Sequence, residues 1–201
     1  MTSRNRFSAV WNLLIRMIFS PSKGQLYINL EDYAGFQSLM RRTYTTDMSD
    51  LLYYISQKKP NFIWKLASIV QRIGDLDYIP PALASVDIRS ITLDMWMAFF
   101  RELRNCDYEI VILDLGDSVD GIYEILRGCT RVYTPTRDDA ISYAKMEQYE
   151  ALLRAMEYED VLERTRKLSF SYFQGIEKGF DQLVLSDLGK YVRKLLLTEE
   201  F

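Results

Sequence analysis

Four apolar residues lead directly into Asp114, and this aspartate is the residue of the chain best placed to do chemistry. The run 110–113 is continuously apolar, as expected of a strand that is covered on both faces. A carboxylate at the end of such a strand suits Mg²⁺, which takes one or two carboxylates together with phosphate and water oxygens. We therefore predict that Asp114 is a metal ligand.

Further carboxylates follow other predicted strands. Because ligands of open α/β sheets bind beyond the carboxyl ends of the strands, these residues should crowd one rim of the molecule. The predicted rim contains Glu31, Asp32, Asp114, Asp117, Asp138 and Asp139. Carboxylates can also cap helix N-termini, where a negative charge stabilises the helix by about 0.3–1 kcal/mol. Capping is favoured for Asp117 and Asp138, and a metal role is favoured for Asp114.

The motif that would bind phosphates is missing from this sequence. A phosphate loop of the G-x-x-x-x-G-K-[ST] type supplies backbone N–H groups and a lysine. No segment of the 201 residues matches it. Lys23 and Gly24 are adjacent, but they precede a predicted strand, whereas such a loop follows one. The sequence thus predicts the acidic half of a nucleotide-hydrolase site without the half that holds phosphates.

Short β-like runs alternate with helical runs along the chain. The predicted strands are Gln25–Leu30, Leu76–Ile79, 109–114, 131–135 and 167–173. This alternation predicts βαβ units, and hence an α/β fold with a mainly parallel sheet and helices on both faces. No linker rich in Pro, Gly or Ser interrupts it, so residues 1–201 are predicted to form a single domain.

Apolar spacing and capping residues predict the helices between these strands. The helices predicted by their bounds are 8–19, 61–74, 93–104 (capped by Thr92) and 121–127 (opened by Asp117 or Ser118). A further helix, capped by Asp47 or Ser49, runs through Ile55. A long helix is opened by Asp138 or Asp139, and a last helix is capped by Ser186. The apolar segment 7–19 is too short to span a bilayer, which needs about 20 apolar residues. A buried helix is favoured there, and a membrane-surface helix stays open.

The composition excludes several functions. The chain has no histidine, which removes histidine triads and histidine metal sites. Its net charge of −3 offers no basic field for duplex nucleic acid, so no nucleic-acid partner is expected. Its two cysteines, Cys106 and Cys129, could in principle form a disulfide. Because no signal peptide is visible, a reducing, cytoplasmic compartment is favoured.

Six blocks of the chain, spread over residues 8–197, are similar to one family. The blocks include GQLYINLED, DMSDLLYYI, LDYIPPA, DYEIVILDLGD, CTRVYTPTRDDAISYAK and SDLGKYVRKLL. In this order they resemble the MinD/ParA-type deviant P-loop ATPases, and most of all the divergent TadZ-like branch that places Tad pilus machinery at the cell pole. The resemblance implies a P-loop NTPase fold, with ATP and Mg²⁺ as the cofactors of relatives.

The resemblance also assigns site residues. The positions that match the family's nucleotide site are Glu31, Asp32, Asp114, Gly116, Pro135, Thr136 and Asp138. Asp114 matches the metal-linked carboxylate, and Glu31 and Asp32 match the acidic end of the second strand. Segment 135–139 matches the part that lies near the nucleotide base in relatives.

The chain departs from the family at its start. Relatives begin with a strand and a GGxGxT[ST]-type loop, and residues 1–7 resemble neither, so we expect an N-terminally truncated domain. The family's first strand lies in the middle of the sheet, and its loss would leave strand edges with unpaired N–H and C=O groups. No cofactor is therefore expected for this chain.

Three functions stay open. The favoured one is a non-catalytic or weakly nucleotide-binding scaffold that self-associates and binds pilus-assembly or polar proteins. The alternative is an ATPase of the same family whose phosphate site is atypical or completed by a partner. The third is peripheral membrane binding through the final helix, where Lys190, Arg193 and Lys194 lie opposite leucines, although core packing is favoured for that helix.

Overall fold

The computed structural model describes residues 24–73, 76–169 and 190. The helix predicted at 8–19, the last helix apart from Lys190, and residues 170–173 of the last predicted strand lie outside these residues. The chain divides into two compact units. Of the described residues, 24–73, 76–120 and 190 belong to the first unit, and 121–169 form the second. The single-domain organisation stays a prediction.

A four-stranded sheet forms the centre of the first unit. Its strands are β1 (Gln25–Leu30), β2 (Gln71–Ile73), β3 (Leu76–Ile79) and β4 (Ile110–Leu115), in the order β2-β3-β1-β4. β3 and β4 run parallel to β1, and β2 pairs antiparallel with β3 at the edge. All six residues of β1 are buried, so the sheet is covered on both faces at this strand. The predicted α/β fold with a mainly parallel sheet is confirmed.

The first unit also has helices among its described residues. They are α1 (Phe36–Met40), α2 (Met48–Ser56), α3 (Phe62–Ile69), α4 (Ser85–Arg89) and α5 (Leu93–Leu103). α2, α3 and α5 pack against one another. Aromatic rings fill this contact, with Phe62 and Phe99 meeting edge-on at 5.9 Å between centroids. Trp96 is fully buried beside them.

Two carboxylates fix the starts of α2 and α5. Asp47 accepts a hydrogen bond from the Ser49 backbone N–H at 2.8 Å, and the Asp50 side chain bonds back to the Asp47 N–H, which forms a capping box. The predicted cap at Asp47 is therefore confirmed. Thr92 precedes α5 as predicted, but its side chain makes no capping bond. Asp120 accepts the hydrogen bond from the Leu93 N–H instead, at 3.0 Å.

The helix predicted over 61–74 is too long. α3 ends at Ile69, and the chain turns extended at Val70 before it enters β2. β2 pairs with β3 in register, with Arg72 opposite Asp77. Their side chains form an ion pair at 2.6 Å. Strand pairing, which the local pattern does not contain, outweighs the helical propensity of these three residues.

The second unit contains two strands and three helices in its described residues. They are α6 (Ile122–Gly128), β5 (Val132–Thr136), α7 (Ala140–Ala155), α8 (Glu159–Glu163) and β6 (Thr165–Ser169). β5 and β6 pair in parallel, with Val132 opposite Thr165. The unit has its own apolar core, made of Val132, Leu153, Tyr158 and Val161.

Several local predictions for the second half of the chain need correction. α6 begins after Gly121, which has a left-handed conformation and no side-chain cap, so neither Asp117 nor Ser118 opens it. α7 is capped by Asp139, which accepts from the Ser142 N–H at 2.8 Å, and not by Asp138. The last strand begins two residues earlier than predicted, because Thr165 already pairs with β5.

Two further predictions concern cysteines and membranes. Cys106 and Cys129 are both free thiols, so the disulfide left open by the sequence does not form. Within the described ranges, no helix is long and apolar enough to cross a membrane.

Candidate functional site

The site begins with the register of two neighbouring parallel strands. Asn29 of β1 lies directly opposite Asp114 of β4. Because side chains of a strand alternate between faces, Tyr27, Asn29 and Glu31 project from the same side of β1. The strand pairing therefore brings Glu31 and Asp114, which are 83 residues apart in the chain, to the same end of the sheet.

Hydrogen bonds join these side chains into one buried group, which we call the carboxylate cluster: Tyr27, Asn29, Glu31 and Asp114. The Tyr27 hydroxyl donates to Asp114 Oδ2 at 2.9 Å. Asn29 Nδ2 lies 3.2 Å from Glu31 Oε2 and 3.4 Å from Asp114 Oδ2, so it bridges the two carboxyl groups. Asn29 Oδ1 accepts from the Glu31 backbone N–H at 3.0 Å.

Burial determines the charge of this cluster. Asp114 is 2% exposed and Glu31 is 8% exposed. Burial and the nearby Asp114 carboxylate raise the pKa of Glu31 to about 8, so this carboxyl group is mostly protonated at neutral pH. Burial and the Asp114 charge also raise the pKa of Tyr27 well above its ordinary value, which keeps its hydroxyl a donor. Two carboxyl groups this close thus avoid carrying two negative charges in a buried position.

Tyr27 and Asn29 are site residues that the sequence analysis missed. Both are polar side chains that alternate with the apolar Leu26, Ile28 and Leu30, and they come shortly before Glu31. A fully buried strand gains nothing from such side chains unless they bond to a partner. That pattern was the available signal, and only the pairing of β1 with β4 reveals which partner they have.

Gly116 has a packing reason for being glycine. A Cβ atom built at this position would lie 3.2 Å from Glu31 Cα and 3.3 Å from the Leu30 carbonyl oxygen. Both neighbours are backbone atoms, so they cannot move aside easily. Gly116 therefore lets the chain leaving β4 pass close to the end of β1. Its predicted contact with a nucleotide stays a prediction.

Asp32 contacts different residues from its neighbour Glu31. The Ser118 hydroxyl donates to Asp32 Oδ1 at 2.7 Å, and Arg89 Nε lies 3.4 Å from the same oxygen. The Arg89 side chain is half exposed, and such ion pairs contribute about 0–1 kcal/mol. Asp32 thus links the loop after β4 to α4 at the rim of the sheet, through a hydrogen bond to Ser118 and an ion pair with Arg89.

The remaining predicted residues belong to the second unit. Pro135 and Thr136 are the last two residues of β5, and the Thr136 hydroxyl donates to the Leu168 carbonyl at 3.3 Å. Asp138 accepts a hydrogen bond from the Tyr143 hydroxyl at 3.2 Å. These contacts lie within the second unit, and a nucleotide-binding role for the three residues stays a prediction.

The cofactors implied by the resemblance fit these residues only in part. Asp114 supplies one hard oxygen ligand of the kind that Mg²⁺ accepts. In the part of the chain that the structure describes, no three acidic or thiol side chains converge as a metal site. Phosphate oxygens require backbone amides and a cation, and the 201 residues contain no phosphate-loop motif. Of the cofactors that the resemblance implies, the described site residues therefore supply one ligand suited to magnesium, and the expectation that no nucleotide binds stays a prediction.

Two surface depressions are lined by other residues. One is at the amino ends of the strands and is lined by residues that include Gly24, Asp107 and Tyr108. Another belongs to the second unit and is lined by residues that include Met146, Glu150 and Lys167. Neither contains any residue of the predicted site.

Comparison with known proteins identifies the fold. No protein-family model matches the chain, and no curated protein is similar enough to count as a relative. Among solved structures, the chain is similar to a ParA family ATPase from Chlorobium tepidum TLS, with 17% identity and a TM-score of 0.65 over 97% of this chain and 87% of that one.

Two other solved structures agree. A plasmid partition protein from Borrelia burgdorferi has 13% identity and a TM-score of 0.57, and the match covers 98% of this chain and 94% of that one. The MinC:MinD cell division protein complex from Aquifex aeolicus has 9% identity and a TM-score of 0.53, and the match covers 84% and 64%. The chain therefore has the fold of ParA- and MinD-type P-loop NTPases.

Proposed function

We propose that this protein is a localisation or scaffold protein of the MinD/ParA type that binds nucleotide weakly or not at all. Within that type we place it nearest the TadZ-like branch, with self-association and pilus-assembly or polar proteins as its partners at the cell pole. The observation that carries the proposal is the carboxylate cluster. Its groups satisfy one another through the chain's own hydrogen bonds.

The first argument concerns Asp114. A carboxylate that serves a metal needs an oxygen directed at the ion, with water or phosphate completing the coordination. Asp114 Oδ2 instead accepts hydrogen bonds from Tyr27 and Asn29, and the side chain is almost fully buried. A cation would have to break these bonds before it could bind that oxygen. The cluster suits a stable structural role better than metal exchange.

The second argument concerns the phosphates. A nucleoside triphosphate is held mainly by backbone N–H groups and a cationic side chain, because carboxylates repel its oxygens. The motif that combines these groups in a phosphate loop does not occur in the 201 residues. The Glu31 carboxyl at the end of β1 offers no positive charge either. We therefore propose that the fold of a nucleotide hydrolase serves here without the groups that bind the substrate.

A surface for self-association can be proposed around the Asp32–Arg89 ion pair. Tyr33 follows Asp32 and is 62% exposed. Val86 lies one turn before Arg89 on α4 and is also 62% exposed, and Leu83 just before that helix is 77% exposed. These apolar side chains follow the carboxyl ends of β1 and β3, which run parallel. Exposed apolar side chains around the Asp32–Arg89 ion pair are typical of a surface that binds another protein.

Nucleotide binding is tested by equilibrium dialysis with labelled ATP and Mg²⁺. We expect no measurable binding by the wild type or by Asp114→Asn, which keeps the shape of the side chain. The matched control is Asp94→Asn at an exposed position. Micromolar binding by the wild type that is lost in Asp114→Asn and kept in Asp94→Asn would refute the scaffold proposal.

Self-association is tested by light scattering across a range of protein concentrations, with and without ATP. We expect a concentration-dependent dimer that does not respond to ATP, and we expect Val86→Glu to weaken it. Ile141→Glu is the control, because Ile141 is equally exposed but belongs to the second unit. A monomer at all concentrations would contradict this part of the proposal.

The second candidate is an ATPase with an atypical phosphate site or one completed by a partner. The observation that favours it is the position of Asp114 at the carboxyl end of β4, opposite Asn29, in a fold shared with a ParA family ATPase. In the dialysis experiment, an atypical site predicts binding by the chain alone, and a partner-completed site predicts binding that appears only when the partner is added. Either site also predicts that Asp114→Asn abolishes that binding.

A further inference from the structure

Aromatic and basic side chains, most of them exposed, occur in and beside the connection between α2 and α3. We call this group the hairpin tip: Tyr53, Lys58, Lys59, Ile63, Trp64 and Lys65. Trp64 is 79% exposed, Tyr53 is 63% exposed and Ile63 is 50% exposed. Leaving an indole ring in water forgoes a large hydrophobic gain, so a Trp this exposed suggests that something else covers it.

The hairpin tip is also positively charged in a chain whose net charge is −3. No acidic residue occurs from 51 to 74, whereas Lys58, Lys59 and Lys65 all fall in this range. Within the described residues, these three lysines form no ion pair; Lys59 Nζ lies 5.7 Å and 6.0 Å from the ring centroids of Tyr54 and Tyr53. Their charge is therefore available to an anionic partner.

The shape of the tip is fixed by the helices beneath it. α2 and α3 pack against each other, and buried residues of α3, such as Phe62 and Leu66, anchor it to the unit. The connection turns tightly, with Lys58 and Asn61 in the left-handed conformation at φ 49° and 68°. Residues 56–61 are all exposed. Lys58 and Lys59 thus lie on an exposed turn, and Ile63 and Trp64 follow it in the first turn of α3.

We propose that the hairpin tip binds the surface of an anionic lipid bilayer. Trp and Tyr side chains favour the headgroup level of a membrane, where the ring is apolar and its polar atom stays wet. Trp64 and Ile63 enter the headgroup region, and the lysines contact lipid phosphates, each adding electrostatic attraction. Ile63 also lines a depression together with Asp77 and Asp107, and these carboxylates limit the basic patch there.

A bilayer fits this surface better than single-stranded nucleic acid does. Nucleic-acid strands are held in positively charged grooves that place several aromatic rings in sequence for stacking. The tip has the aliphatic Ile63, which is 50% exposed, beside Trp64, and no arginine occurs from 53 to 65. An aliphatic group beside Trp contributes to membrane insertion and contributes nothing to base stacking.

The proposal is tested by co-sedimentation with vesicles of phosphatidylcholine alone and of phosphatidylcholine mixed with phosphatidylglycerol. We expect binding to the mixed vesicles only, and a loss of about tenfold or more in Trp64→Ala and in Lys58→Glu/Lys59→Glu. Ile141→Ala and Lys145→Glu, at exposed positions of the second unit, are the matched controls and should bind like the wild type. High salt should weaken binding because it screens the lysines.

A second measurement keeps the test independent of sedimentation. Tryptophan emission should shift to the blue and become less accessible to acrylamide when mixed vesicles are added. The shift should be absent in Trp64→Phe. Equal binding to neutral vesicles, or wild-type binding by both tip variants, would overturn the proposal. Tighter binding to a single-stranded oligonucleotide, lost in the same variants, would overturn it in favour of nucleic acid.

Discussion

Replacing Glu31 with glutamine should remove most of the pH dependence of this protein's stability near neutral pH. Burial and the Asp114 carboxylate raise the pKa of Glu31 from 4.5 to about 8. The folded protein therefore keeps a proton that the unfolded chain releases above its lower pKa. This contribution to stability is complete below pH 4.5 and is lost as the pH rises through about 8.

The size of the effect follows from the two pKa values. Each pH unit between them lowers the free energy of unfolding by about 1.4 kcal/mol. From about pH 6 to about pH 8, the wild type should lose about 2 kcal/mol, since the slope flattens as Glu31 ionises in the folded state. The chain has no histidine, so the group that usually titrates in this range is absent. Glutamine at position 31 can still accept from Asn29 and stays neutral.

The assay is urea unfolding followed by circular dichroism, at constant ionic strength and several pH values. Glu31→Gln should give a nearly flat profile between about pH 6 and about pH 8. Asp114→Asn should give a shallower profile than the wild type, because it removes the negative charge beside Glu31. Glu147→Gln, at an exposed position, should keep the wild-type slope. Parallel profiles for the wild type and Glu31→Gln would refute the reasoning.

Three further predictions concern stability, measured by urea unfolding. Gly24→Ala should destabilise the fold by about 2 kcal/mol or more, because φ is +83° and its Cβ would lie 2.5 Å from the Asp107 carbonyl oxygen. Gly116→Ala should cost about 1–3 kcal/mol, whereas Gly128→Ala, whose Cβ meets nothing within 4 Å, should not destabilise. Asp120→Ala should cost about 1 kcal/mol by removing the cap of α5, and Thr92→Ala should cost less. Equal destabilisation by Gly116→Ala and Gly128→Ala, or by Asp120→Ala and Thr92→Ala, would contradict the assigned contacts.

The elements that the sequence predicted well are those with a strong local signal. The apolar run before Asp114 forms a strand, because a short continuous apolar stretch is typical of a strand that is buried on both faces. Gln25–Leu30 also forms a strand, and its apolar Leu26, Ile28 and Leu30 alternate with more polar residues. Asp47 caps α2 because a capping box needs only residues three positions apart. Such features depend on neighbours in the chain, and the sequence contains them in full.

The errors occurred where a distant partner decides the structure. Residues 71–73 continue a helical pattern but form β2, since β3 offers strand pairing and Asp77 offers an ion pair. Asp120, and not Thr92, bonds the first N–H group of α5, although it lies 27 residues further along the chain. Local propensity is worth only tenths of a kcal/mol per residue, and such long-range contacts readily exceed it.

The sequence by itself determined which residue types end the strands, and therefore that Asp114 and Glu31 would lie at the carboxyl end of a parallel sheet. Only the tertiary structure decided that these two groups share one buried cluster with Tyr27 and Asn29. The reason is physical: a strand's pattern specifies that it is buried, but its register against a neighbour fixes which side chains meet. In this protein that register puts Asn29 opposite Asp114 and brings Glu31 into the same cluster, where burial and the Asp114 charge raise the pKa of Glu31.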